Sequence, residues 1–99
     1  MTIQYLAGII DGEGHICRLM HKNGRGIAYP QSRIIVTNTC KPLMEAIKRR
    51  FGGYFYMRAA RPKHLDCYVW VLAGKKAEAL GRKLRPHLIV KAQQITRIV

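Results

Sequence analysis

Acid is scarce in this chain. Asp11, Glu13, Glu45, Asp66 and Glu78 are the only carboxylate side chains among 99 residues. Carboxylate chemistry must therefore draw on one or two of these five, and a multi-acid cage within one chain has few candidates. Cysteine is sparse as well. Cys17, Cys40 and Cys67 are odd in number and widely spaced, with no Cys-x-x-Cys. That pattern excludes a disulfide frame or zinc site and reads as reduced thiols. The four histidines, His15, His21, His64 and His87, share no metal-ligand spacing. No apolar run approaches the ~18 residues that span a bilayer, so no membrane partner is expected. The opening Met1-Thr2-Ile3-Gln4-Tyr5 lacks the basic-then-apolar pattern of a secretory signal. Repeats, linkers and low-complexity segments are absent too, and the chain reads as one domain over 1–99.

What is abundant is positive charge. Lys and Arg number 18, giving a net charge of +13. Such a surface attracts polyanions, nucleic acid before anionic membrane. The hydrophobic fraction of 48% argues for a folded core rather than a disordered chain.

Apolar residues at Ile3, Leu6, Ala7 and Ile10 predict a helix over 2–12, with Thr2 as N-cap. Gly12 and Gly14 are expected to stop it through left-handed turn geometry. Strands are expected over 15–21 and 29–39, joined by the turn residues Lys22-Asn23-Gly24-Arg25-Gly26. Pro42 suits the first turn of a second helix, whose stripe is Leu43, Met44, Ile47 and Phe51, ended by Gly52-Gly53. Two more strands, 54–57 and 67–72, flank a basic loop over 58–64. A helix over 75–84 is broken by Pro86, and a last helix is expected to run to about Val99. The order α-β-β-α-β-β-α-α predicts an α+β domain, an antiparallel sheet with helices gathered on one face.

Leu6-Ala7-Gly8-Ile9-Ile10-Asp11-Gly12-Glu13-Gly14 is the most informative stretch. Ala7 and Asp11, like Gly8 and Gly12, lie four apart and so on one side of a helix. Small residues at that spacing let two helix backbones approach closely. Two copies packed through this face would bring their Glu13 carboxylates together and build a two-acid site from one acid per chain. Paired divalent ions are a recurrent solution for phosphodiester cleavage.

This nonapeptide resembles the motif that names the LAGLIDADG homing endonucleases, with Ile9, Gly12 and Glu13 as variants within it. The resemblance continues through Val36-Thr37-Asn38-Thr39, Tyr68-Val69-Trp70-Val71-Leu72-Ala73-Gly74 and Pro86-His87-Leu88-Ile89-Val90-Lys91. It implies a single αββαββα domain with a sheet that faces DNA. The implied activity is site-specific double-strand cleavage across the minor groove, dependent on divalent metal, magnesium with manganese as an alternative. It assigns Glu13 and the Gly12 carbonyl to the metal, Lys91 to charge stabilisation, Asn38 to the water-organising position, and Asp11 to a structural role at the helix end. One motif per chain implies a homodimer through Ala7, Gly8, Asp11 and Gly12. An intron-borne element in a bacterial or phage cytoplasm, or in an organelle, is the implied setting.

The resemblance also assigns base and phosphate contacts to the strands and their loops. The candidates are His21, Lys22, Arg25, Gln31, Arg33, Arg58, Arg61 and Lys63, with double-stranded DNA as partner. Arginine and glutamine are suited to bidentate contacts with guanine and adenine. Which strand parity faces DNA stays open, with Arg18 on the face opposite Cys17, Leu19 and His21. Trp70 and the tyrosines are expected in the core. Two alternatives remain on the same scaffold, a DNA-binding regulator without cleavage and an RNA-splicing maturase. A basic nucleic-acid packager is a more distant one.

Overall fold

The computed structural model describes residues 1–58 and 66–99. The loop candidates Arg61 and Lys63 lie outside them. The elements are α1 (Ile3–Glu13), β1 (Gly14–Lys22), β2 (Ala28–Asn38), α2 (Lys41–Phe51), β3 (Tyr54–Arg58), β4 (Cys67–Ala73), α3 (Lys75–Leu84) and α4 (Ala92–Thr96), with a 3-10 turn at Arg85–His87. All four strands form one antiparallel sheet in the order β1-β2-β4-β3. The expected α+β architecture is what the chain adopts.

Local chemistry sets the element ends. Thr2 caps α1, its Oγ1 accepting the Tyr5 N–H at 3.1 Å. Gly52 closes α2 and Gly53 follows it, both at positive φ, 82° and 81°. There the Gly52 carbonyl accepts the Trp70 indole N–H at 2.8 Å. The turn between β1 and β2 is built on Asn23, whose Oδ1 accepts the Arg25 and Ile27 N–H groups at 2.8 and 3.1 Å.

Register assigns the two faces of the sheet. Ile16 pairs with Ile34, Ile34 with Leu72, and Val36 with Trp70, so these share one face. That face joins Leu6, Ala7 and Ile10 of α1, Met44 and Ile47 of α2, Ala77, Leu80 and Leu84 of α3, and Leu88, Ile95 and Ile98 in a single core. Every described helix therefore contributes to one side of the sheet. The other side carries His15, Cys17, Leu19, His21, Tyr29, Gln31, Arg33, Ile35, Thr37, Tyr54, Tyr56 and Arg58.

Three expectations are corrected. First, α1 runs through Gly12 to Glu13, and Gly14 leaves it in extended geometry (φ −79°, ψ 162°) rather than a left-handed turn. Glycine is needed at 14 for room. A Cβ there would stand 2.7 Å from the Ile10 Cα and 2.8 Å from the Ile10 carbonyl oxygen. Second, the expected final helix is reduced to Ala92–Thr96. Residues 88–91 are held off the helix because the Ile89 and Lys91 N–H groups are diverted to Asp11, and β-branched Ile89 and Val90 add little propensity. Third, not every tyrosine is core. Tyr54 and Tyr56 are 52% and 50% exposed and stack at 6.4 Å between centroids, although Trp70 is fully buried as expected.

Candidate active site and nucleic-acid face

Three residues distant in sequence converge where α1 meets β1. Glu13 ends the helix, and its Oε2 accepts the Asn38 Nδ2–H at 2.7 Å. Asn38 is itself aimed, because its Oδ1 accepts the Cys40 N–H at 2.8 Å at the start of α2. The amide oxygen is thus turned to the backbone and the amide nitrogen to Glu13. Lys91 reaches the same helix end from the far side of the sequence. Its Nζ donates to the Asp11 carbonyl at 2.9 Å.

Asp11 fills the structural role expected of it. Its Oδ2 accepts the Ile89 N–H at 2.8 Å and its Oδ1 the Lys91 N–H at 3.0 Å. One carboxylate thereby sets the path of the 88–91 segment and delivers Lys91 to the helix end. Sequence reading had no signal for these partners, which lie 78 and 80 positions away.

The electrostatics of this corner favour a cation. The C-terminal end of a helix carries roughly half a negative charge. Exposed Glu13 adds a full one there, against the usual preference. The Ile10 carbonyl accepts the Gly14 N–H and the Asp11 carbonyl accepts Lys91. The Gly12 carbonyl, in the last turn, has no intrahelical donor by position. Carboxylate and carbonyl oxygens are hard donors of the kind magnesium takes in preference to softer metals. Among the described residues no three His, Cys, Asp or Glu side chains cluster as a metal site. Glu13 and the Gly12 carbonyl could serve as two hard donors, and magnesium commonly uses one or two carboxylates plus phosphate oxygens.

The structure divides the four residues expected at a helix–helix contact. Ala7 is 1% exposed and lies within its own chain's core, because 100° per residue places it beside Leu6 and Ile10. Asp11 is half-buried and occupied with residues 89–91. Gly8 and Gly12 form the outward stripe, and a Cβ added at either meets nothing within 4 Å.

Of the DNA-contact candidates, His21, Gln31, Arg33 and Arg58 share the helix-free face. They include a connected group. Arg33 Nε donates to Gln31 Oε1 at 2.9 Å, and Arg33 Nη2 lies 3.4 Å from His21 Nδ1. Lys22 has the opposite parity at the strand end, as does Arg18, and Arg25 is exposed in the turn. Tyr54 and Tyr56, expected in the core, stand on the same helix-free face. The alternation Tyr54-Phe55-Tyr56, with Phe55 against the core, was the available signal.

No family model and no curated protein matches the sequence. Solved structures do match its fold. The homing endonuclease I-CvuI, in complex with its target in the presence of Ca, superposes with TM-score 0.74 at 19% identity, over 95% of this chain and 60% of that one. The archaeal intron-encoded homing endonuclease I-Vdi141I, complexed with DNA, gives TM-score 0.74 at 23% identity, over 97% and 63%. The LAGLIDADG meganuclease I-CpaMI, bound to uncleaved DNA, gives 0.69 at 17% identity, over 95% and 34%. The chain thus spans 60% and 63% of the length of the first two and 34% of the third. Among the described residues no helix is long and apolar enough to cross a membrane.

Proposed function

From a chain with the fold of the LAGLIDADG homing endonucleases, we propose a homodimeric, site-specific, divalent-metal-dependent DNA endonuclease. The observation that carries this reading is the convergence of Glu13, Asn38 and Lys91 on the exposed end of α1. A protein that only binds DNA gains nothing from an acid beside phosphate. The net charge of +13 supplies the attraction to the duplex, and the helix-free sheet face supplies the groups that read it.

Two copies packed along the Gly8–Gly12 stripe would set their Glu13 side chains side by side. Glu13 and the Gly12 carbonyl would hold magnesium together with the same groups of the second copy and phosphate oxygens. Bound there, the metal supplies Lewis-acid stabilisation of charge on the phosphate. Asn38 fixes the rotamer of Glu13, so the carboxylate needs little reorganisation on binding. Lys91, anchored through Asp11, places a fixed positive charge beside the scissile phosphates.

The test is to incubate the purified protein with a randomised duplex library with and without magnesium, then sequence both the bound and the cut fractions. Defined cut ends that need magnesium support the endonuclease. Selective binding with no cleavage in any divalent metal would replace it with a DNA-binding regulator.

A further inference from the structure

We propose that Gln31, Arg33 and His21 form a donor-only reading head that selects guanine in each half-site. This rests on the DNA-reading role proposed above and states what that face reads. In the fold, Cys17 is opposite Arg33, Leu19 opposite Gln31, and His21 opposite Tyr29, so the three side chains rise from neighbouring positions on one face. Their mutual hydrogen bonds decide what each has left to offer.

Arg33 has five N–H donors and no acceptor. Its Nε–H is taken by Gln31 Oε1 at 2.9 Å, and Nη2 faces His21 Nδ1 at 3.4 Å. The N–H groups that remain are on the two terminal nitrogens, the end of the fork that matches the O6 and N7 acceptors of guanine.

Gln31 is changed by the same contact. Bidentate recognition of adenine points the amide oxygen and nitrogen together at one base edge. Here the oxygen is turned along the strand to Arg33, and the group left for DNA is the NH2. Gln31 therefore reads an acceptor, which revises the adenine expectation drawn from its residue type.

His21 completes the set. A guanidinium can only donate, so the Nδ1 that faces it must accept, and the ring proton sits on Nε2 as a further donor. The ring is held edge-on against Tyr29 at 5.5 Å between centroids.

No acidic residue lies between Glu13 and Glu45, so β1, β2 and their turn bring no carboxylate to receive the cytosine amino group. A cluster presenting donors alone matches guanine, with two major-groove acceptors, better than adenine or thymine, with one each. Cytosine, with only a donor, is excluded. Gln31 and Arg33 are separated along β2 by about 7 Å. That is about two base-pair rises of 3.4 Å. The expected signature is a guanine under Arg33 with an acceptor, purine N7 or thymine O4, one or two positions away.

The experiment is an equilibrium binding selection of a randomised duplex library without divalent metal, sequenced for wild type, Arg33→Lys and Gln31→Glu, with thermal unfolding as the folding control. Wild type should enrich guanine at one position per half-site by roughly 10- to 100-fold over cytosine. Arg33→Lys keeps the charge but loses the fork, so it should retain affinity for random duplex and lose that guanine. Gln31→Glu introduces an acceptor and should move the neighbouring preference toward cytosine. A wild-type site whose preferred bases do not change in either folded variant would overturn the reading head while leaving site-specific binding intact. A wild type that enriches nothing would overturn both it and the function on which it rests.

Discussion

Asp11 and Lys91 hold each other reciprocally across 80 positions of sequence. The Asp11 carboxylate accepts the Lys91 N–H at 3.0 Å, and the Lys91 ammonium donates to the Asp11 carbonyl at 2.9 Å. Asp11 thus separates the two acids of the motif by task. It organises the scaffold, and Glu13, two residues on and exposed, is left for the role proposed for it. The arrangement also solves an electrostatic problem. Two carboxylates at the negative end of a helix are unfavourable, and the Lys91 ammonium at that end offsets part of the cost.

The clamp predicts a stability effect. Asp11→Ala leaves the Ile89 and Lys91 N–H groups without their acceptor, and the loss should be about 1–3 kcal/mol in urea unfolding. Asp11→Asn keeps one acceptor oxygen and should lose less. A stability equal to wild type in the alanine variant would show that the 88–91 segment is placed by core packing at Leu88 alone.

Glu13 should behave differently. Glu13→Gln removes a charge from the negative helix end but weakens the charge-assisted hydrogen bond from Asn38, so these opposing terms should leave stability within about 1 kcal/mol of wild type. Cleavage should fall by at least about a hundredfold. Site binding should survive or tighten, since one negative charge leaves a phosphate-facing surface. Unchanged single-turnover cleavage would remove Glu13 from the site.

Gly14 is required for space, and a methyl group tests it. Gly14→Ala places a Cβ against the Ile10 backbone, which cannot yield as a flexible side chain would. Unfolding free energy should drop by about 1–3 kcal/mol. Cleavage should suffer beyond that loss because Glu13 is the adjacent residue. Gly24→Ala, where a Cβ meets nothing within 4 Å, is the control and should be near neutral. Equal melting temperatures for the two variants would contradict the crowding.

Much of the fold was legible because local signals agreed with the final packing. The helix expected over 75–84 with a break at Pro86 is α3, whose buried stripe is Ala77, Leu80 and Leu84. The sheet parity was not legible, since Ser32, Ile34 and Val36 alternate with Gln31, Arg33 and Ile35. Both rows contain polar and apolar members, and only the helices decide between them. The outcome puts Arg18 opposite Cys17, Leu19 and His21, as expected. At the site, the resemblance pointed to Glu13, Asn38 and Lys91 individually. Long-range hydrogen bonds that no periodicity encodes brought them to one helix end. The Gln31–Arg33 contact is local, two positions apart on one strand face, but residue types alone did not say which end of the Gln31 amide turns to Arg33.

The last prediction concerns the stripe on α1 and uses the open space beside it. In one chain a Cβ at Gly8 or Gly12 meets nothing within 4 Å. Replacing an exposed glycine inside a helix by alanine then stabilises the isolated chain by about 0.5–1 kcal/mol. If two copies pack backbone to backbone along this stripe, a methyl group at Gly8 pushes them apart, whereas alanine at Gly12 only restores the residue of the resembled motif. Gly8→Ala should therefore melt higher than wild type at concentrations where the protein is monomeric. Its dimer should dissociate at concentrations roughly tenfold or more above wild type, read by sedimentation across a dilution series, with Gly12→Ala as the control that leaves self-association unchanged. Opposite signs for the two Gly8→Ala measurements would be difficult to obtain from any damage to the fold. Higher melting with unaltered self-association in Gly8→Ala would show that the copies do not meet at Gly8. The Glu13 side chains would then need another route to one site.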